Sequence, residues 1–168
     1  MTVLVDTNVI LVANGQHDAV SGDCVATCAL TLQSIMLKER IALDSDCAIL
    51  QEYQNKTKPF TGNRAGDAFV KWAIQNQANI ERCDVVPLEP NEQRMFESFP
   101  DDERLSNFDA SDRKFVAVAA AHPDHPKILQ AADSKWIDWA PALADHEIEV
   151  EFLCPADIHR FHRNKFGR

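Results

Sequence analysis

The sequence predicts an α/β protein with a mainly parallel sheet and helices on both of its faces. Short aliphatic runs alternate with longer stretches of helical apolar spacing from one end of the chain to the other. Right-handed crossovers between parallel strands then place the intervening helices on the two faces. The first run, Val3-Leu4-Val5, is apolar without alternation, as a strand buried on both sides is. It stops at Asp6, and a later run stops at Asp133, so two aspartates stand at strand ends, where open α/β sheets bind their ligands.

Taken in order, the spacing predicts a short helical turn over residues 9–13, stopped near Asn14-Gly15, and a helix over 23–38. Ile41-Ala42-Leu43 reads as the second strand. Asp44-Ser45-Asp46 then supplies a cap, with Ser45 or Asp46 accepting orphan N–H groups, for a helix that carries Glu52 and ends before Pro59. Thr61-Gly62-Asn63 opens a helix striped by Phe69, Trp72, Ala73 and Ile74. Asp84-Val85-Val86-Pro87 is a third strand or strand edge, because Pro87 has no N–H for a ladder. Asn91 is read as the cap of a short helix containing Met95 and Phe96, and Pro100-Asp101-Asp102-Glu103 as an acidic connector. Asp112, in a helix's first turn, leads into the small-residue run 115–121. Residues 127–132 form the fourth strand, 136–143 a partly helical segment, 148–153 the fifth strand, and Asp157 begins a terminal helix.

The 168 residues fit one domain with a substantial core, residues 1–168, ending in a basic tail over 159–168. No apolar run approaches the roughly 20 residues of a membrane span, and the first residues lack the pattern of a secretory signal. Five cysteines with no Cys-x-x-Cys pair argue against a disulfide framework or a zinc site. Cys24 and Cys28, one helical turn apart, read as small apolar core residues, and a cytoplasmic location is expected. The net charge of −9 is unusual for a protein that grips nucleic acid by its phosphates, but it does not exclude that role, because a metal-binding acidic cluster adds negative charge that bound cations neutralise. The body before the tail holds 13 basic side chains against 26 acidic, near −13. The tail, with Arg160, Arg163, Lys165 and Arg168, could touch phosphates or a partner. His122 and His125 belong to a proline-rich turn and receive no role.

Asp6, Glu52, Asp112 and Asp133 each have an ordinary explanation alone, as cap, solvated helix residue or turn former. Together, each sits where it can reach one end of the sheet. With Val3-Leu4-Val5-Asp6-Thr7-Asn8, Ile49-Leu50-Gln51-Glu52-Tyr53, Ser111-Asp112-Arg113-Lys114-Phe115-Val116-Ala117-Val118-Ala119 and Ile128-Leu129-Gln130-Ala131-Ala132-Asp133, followed by Ile148-Glu149-Val150 and Leu153-Cys154-Pro155, the chain resembles the PIN-domain nucleases along nearly its whole length. The resemblance implies a three-layer α/β/α sandwich around a parallel sheet, here of about five strands. It also implies a divalent-metal site, Mg2+ or Mn2+, built from Asp6, Glu52, Asp112 and Asp133. Clustered carboxylates remain anionic only around such a hard cation.

Asp6 is expected as the central ligand, with Thr7 or Asn8 holding it or a bound water by hydrogen bonds. Asp109 is three residues before Asp112 and could replace or join it. The resemblance further implies endonucleolytic cleavage of RNA, as the toxin of a toxin–antitoxin pair; an antitoxin protein and a homodimer are partners to consider. Arg113 and Lys114 adjoin Asp112 and are the best-placed phosphate contacts, ahead of Lys56, Lys58, Arg64, Lys135 and the tail. Two alternatives stand beside this reading. One is a phosphatase or phosphotransferase working through an aspartyl phosphate on Asp6, disfavoured by Asn8 where that chemistry uses an acid. The other is a catalytically silent scaffold of the same fold.

Overall fold

The computed structural model describes residues 1–166. The chain enters through β1 (Thr2–Val5), whose Leu4 and Val5 are sealed from solvent. Asp6 ends the strand in extended backbone and caps α1 (Thr7–Ala13) by accepting the Asn8 N–H at 3.0 Å. α2 (Gly22–Lys38) is capped by the Ser21 hydroxyl, which accepts the Cys24 N–H at 3.2 Å. β2 (Arg40–Asp44) follows and ends, like β1, at an aspartate. Both oxygens of Asp44 are taken by the first N–H groups of α3 (Ala48–Lys56), Ala48 at 2.9 Å and Ile49 at 2.8 Å. The cap is therefore Asp44, and the expectation of Ser45 or Asp46 is corrected: both are exposed.

α4 (Ala65–Asn76) starts just after the expected opening. It lies so close to α1 that a Cβ at Gly66 would stand 2.6 Å from the Ile10 carbonyl oxygen. β3 (Cys83–Val86) closes this half. The segment expected as a short helix is instead an antiparallel hairpin of β4 (Pro90–Asn91) and β5 (Met95–Phe96). Asn91 does accept two main-chain N–H groups, from Gln93 at 2.9 Å and Arg94 at 2.8 Å, but these close a turn that Met95 leaves at φ 78°. The nine residues between Pro90 and Pro100 are too few to repay helix nucleation.

Two 3-10 turns, Glu103–Leu105 and Ala110–Asp112, lead into α5 (Arg113–Ala121). Then come β6 (Ile128–Gln130), α6 (Lys135–Asp145), β7 (Val150–Phe152) and α7 (Pro155–Phe166). β6 is shorter than expected and ends three residues before Asp133. Most of the basic tail is helix; Arg160 donates to the Ala19 carbonyl at 2.8 Å and pairs with Asp157 at 3.3 Å, and residues 167 and 168 lie outside the described residues.

The five long-range strands are all parallel, in the order β3-β2-β1-β6-β7. α1 to α4 pack with one another on one side, while α5 and α6 cover the other, giving the three-layer α/β/α sandwich expected. That division follows from handedness: β1 to β2 to β3 step one way across the sheet, and the return to β6 and β7 steps the other. The return makes β1 and β6 neighbours, Leu4 opposite Ile128 and Val5 opposite Leu129, and creates a switch point at their carboxyl ends. The core runs through all layers. On the α5–α6 side Phe99, Phe108, Trp136 and Trp139 stack edge-on or tilted, each buried ring contributing about 1.5–3 kcal/mol.

α7 returns to the first helical layer, where Cys154 forms a disulfide with Cys24. This corrects the reading of Cys24 as a plain apolar core residue, and cysteine usage no longer argues for a reducing compartment. Sequence spacing could not foresee the bridge, because its partners lie 130 residues apart. Cys28 remains a free thiol in the core, where burial and then the Asp157 charge push it up to about 12. Among the described residues no helix is long and apolar enough to cross a membrane.

Candidate metal centre

The switch point gathers the acids. Asp6 follows β1, Asp133 lies on the loop after β6, and Asp112 occupies the junction of a 3-10 turn with α5. Asp109, Asp112 and Asp133 each offer a carboxylate oxygen within 4.8 Å of the other two, an arrangement that could hold a metal ion. Asp109 thus joins Asp112 rather than replacing it.

Asp6, expected as the central ligand, stands outside that trio but within the field of Asp112 and Asp133. It is 4% exposed; Oδ2 is held by the Asn8 N–H, and Oδ1 has neither solvent nor a hydrogen-bond partner. A buried bare carboxylate oxygen costs several kcal/mol unless it is protonated or meets a cation. Its pKa is accordingly pushed up to about 8, first by burial and then by the negative charge of Asp112. The Asn8 amide and Gln130 draw it back in part, and Asp133 adds to the rise. Gln130 is fully buried with its amide group near Asp6, yet its Nε2 completes no hydrogen bond; the contact is a weak polar one. Asp112 rises to about 6, again by burial first, then by Asp133, Asp109 and Glu52, with Lys114 opposing.

Glu52 reaches the same rim from the middle of α3. The Thr7 hydroxyl donates to its Oε2 and Lys114 Nζ to its Oε1, the latter at 2.8 Å. It influences Asp112 electrostatically but stands outside the close trio. The acidic set is therefore a tight trio with two neighbours, the buried Asp6 and the lysine-paired Glu52, each coupled to it electrostatically.

Several expected roles change. The Thr7 hydroxyl serves Glu52, not Asp6. Asn8 holds Asp6 through its main-chain N–H, while its side-chain Oδ1 crosses to accept the Ala132 N–H at 2.6 Å. That bond ties the Asp133 loop to the end of β1, and Gln130 Oε1 secures the same loop through Ala131 at 2.9 Å and Asp133 at 3.4 Å. Arg113, expected as a phosphate contact, is engaged within the protein: its guanidinium donates to the Phe108, Arg94, Leu105 and Ser106 carbonyls and lies 4.5 Å over the Phe99 ring. It pins the 94–108 connector. Lys114 bonds Glu52 and the Ser111 carbonyl, and Lys135 bonds Asp109, so both act as internal counter-charges. Arg64 donates to the Asn14 carbonyl.

Sequence reasoning missed Gln130 and Tyr53. Tyr53 is buried one residue beyond Glu52 and donates its hydroxyl to the Val5 carbonyl, fastening α3 to the strand end below Asp6. The one available signal was a polar glutamine inside an otherwise apolar strand. Comparison of the chain with protein-family models, with curated proteins and with solved structures finds no match.

Proposed function

We propose that this chain is a divalent-metal-dependent endoribonuclease of the PIN type, with Asp6, Asp112 and Asp133 as its central ligands and Asp109 and Glu52 completing the site. The observation that carries the reading is the buried, unpartnered Oδ1 of Asp6 in the field of Asp112 and Asp133, two of three converging carboxylates. Without a cation the arrangement is relieved by a proton held on Asp6; Mg2+ or Mn2+, which favour oxygen ligands, would relieve Asp6 and the neighbouring carboxylates together. A bound ion of this kind supplies Lewis-acid stabilisation of the charge that builds as a phosphodiester is attacked.

The chain's own residues have distinct tasks in this reading. Asp6 would hold the ion from its buried position, while Asn8 and Gln130 hold the loop that presents Asp133. Lys114 and Thr7 orient Glu52, the group best placed to accept a proton from an attacking water at the rim. RNA phosphates would meet Lys56 and Lys58, both exposed and lining a cleft of about 400 Å3 that starts one helical turn beyond Glu52.

The test is incubation of purified protein with labelled single-stranded RNA, with Mn2+ and with chelator. Cleavage that needs Mn2+ and disappears in Asp6→Asn is the expected result. Cleavage indifferent to chelator, or retained in Asp6→Asn, would falsify the proposal, and a trapped acyl phosphate would redirect it to phosphotransfer.

A further inference from the structure

Away from the acidic crevice, three sulfurs meet between α2 and α7. Cys24, Cys28 and Cys154 are buried, and their sulfurs all lie within 4.8 Å of one another. Two of them form the disulfide, and the third, Cys28 Sγ, stands 3.9 Å from Cys154 Sγ. A bridge needs only two cysteines, so the third calls for its own explanation. We propose that, once the bridge is reduced, this cluster is a three-thiolate site for a thiophilic d10 cation, Zn2+ or Cu+, and that oxidation of Cys24 and Cys154 closes it.

The spacing fits. An ion bound at about 2.3 Å from each sulfur in tetrahedral fashion sets neighbouring sulfurs about 3.8 Å apart. The Cys28–Cys154 separation is already 3.9 Å. Cys24 and Cys154 then have only to part by side-chain rotation, since their backbones are held independently. Cys24 and Cys28 are one turn apart on α2 and so share a face.

The electrostatics fit as well. Cys24 lies in the first turn of α2, and Cys154 immediately precedes α7, its carbonyl accepting the Ile158 N–H at 2.9 Å. Two helix N-termini therefore converge on Cys24 and Cys154 and favour anionic sulfur there, whereas Cys28, buried and beside the Asp157 charge, gives up its proton only to a bound cation. The nearest acid, Asp157, is held by the Ser21 N–H at 2.6 Å and the Ser21 hydroxyl at 2.9 Å, with Arg160 beside it.

The chemistry balances with a dithiol reductant. It delivers two electrons and two protons to the Cys24–Cys154 bridge and becomes a cyclic disulfide. The three thiols then release three protons to solvent as three sulfur–metal bonds form. Soft thiolates select Zn2+ and Cu+ over the hard cations suited to the carboxylate site.

The full-length chain, reduced with dithiothreitol and desalted anaerobically, is titrated with Cd2+ as the zinc stand-in and separately with Cu+. The readouts are sulfur-to-metal charge-transfer absorption and far-ultraviolet circular dichroism. One equivalent is expected to give the band in the reduced, folded chain and none in the oxidised chain. Cys28→Ser should weaken binding at least about tenfold, and Cys47→Ser should leave it unchanged. The stronger of the two ions names the cation. A band in the oxidised chain, a band unaffected by Cys28→Ser, a band only after the circular dichroism of the folded chain is lost, or no band at all would each overturn the proposal.

Discussion

The two ends of the parallel sheet treat the same kind of residue in opposite ways. At the amino ends of the strands, Asp84 receives the Thr2 hydroxyl at 2.9 Å, His122 Nε2 at 2.8 Å and the Arg40 guanidinium. Burial alone would raise its pKa, but the bonds from His122, Arg40 and Thr2 outweigh that and hold it below the ordinary carboxylate range. At the carboxyl ends, Asp6 receives one N–H and faces other acids, and its pKa goes up to about 8. A cavity of about 840 Å3 opens beside the satisfied Asp84 and not at the starved Asp6. The difference teaches that withheld polar satisfaction and open space are separate signals, and in this protein they mark opposite ends of the sheet.

That contrast can be broken most sharply at the proposed ligands. Asp112→Asn or Asp133→Asn is expected to lower Mn2+ affinity more than about 100-fold in calorimetric titration, beyond the 10–100-fold typical of residues outside the ligand shell. Asp109→Asn should fall between these and wild type. A silent Asp109→Asn would return the site to Asp6, Glu52, Asp112 and Asp133 alone.

Next in size are opposite responses to pH. Folded metal-free protein keeps protons on Asp6 and Asp112 that the unfolded chain releases near pH 4. Its stability should therefore fall as pH rises through about 6 and 8. Melting in chelator from pH 5 to 8 should show this decline, and Asp6→Asn should remove most of it while stabilising the metal-free protein by about 1–3 kcal/mol. Saturating Mn2+ should reverse the decline in wild type. Asp84, with its lowered pKa, gives the other sign: its contribution is present above the ordinary carboxylate range and is lost as pH falls through its folded value. Asp84→Asn should thus leave the pH 5 to 8 slope alone and cost about 1–2 kcal/mol at neutral pH.

The smallest effect is expected at Lys114. Its ammonium holds Glu52 and lowers the pKa of Asp112. Lys114→Met should move the Asp112 titration further up, read by the carboxyl carbon resonance, with only a few-fold change in Mn2+ affinity. An unchanged resonance would mean that Lys114 is merely a surface partner.

Much of this was legible in the chain. The aliphatic runs marked strands because a sheet covered on both faces must be apolar on both. The helix over 22–38 was readable because a long amphipathic stripe leaves few alternatives. The hairpin at residues 90–96 was not readable, since so short a piece is decided by its neighbours. Among the acids, Asp6, Asp44 and Asp133 look alike in sequence. Asp44 is consumed by two helix N–H groups while Asp6 is left with a bare oxygen, and that distinction exists only in three dimensions.

Local order of residue types was thus enough to determine the layered α/β class, the parallel sheet and the strand end where Asp6 stands, because periodicity and capping act over a few neighbours. Only the tertiary structure decided that Asp109 joins Asp112 and Asp133, that Arg113 serves the connector, and that Cys154 meets Cys24 and Cys28. Each of those depends on which strands become neighbours, and that is settled when the whole core is buried at once.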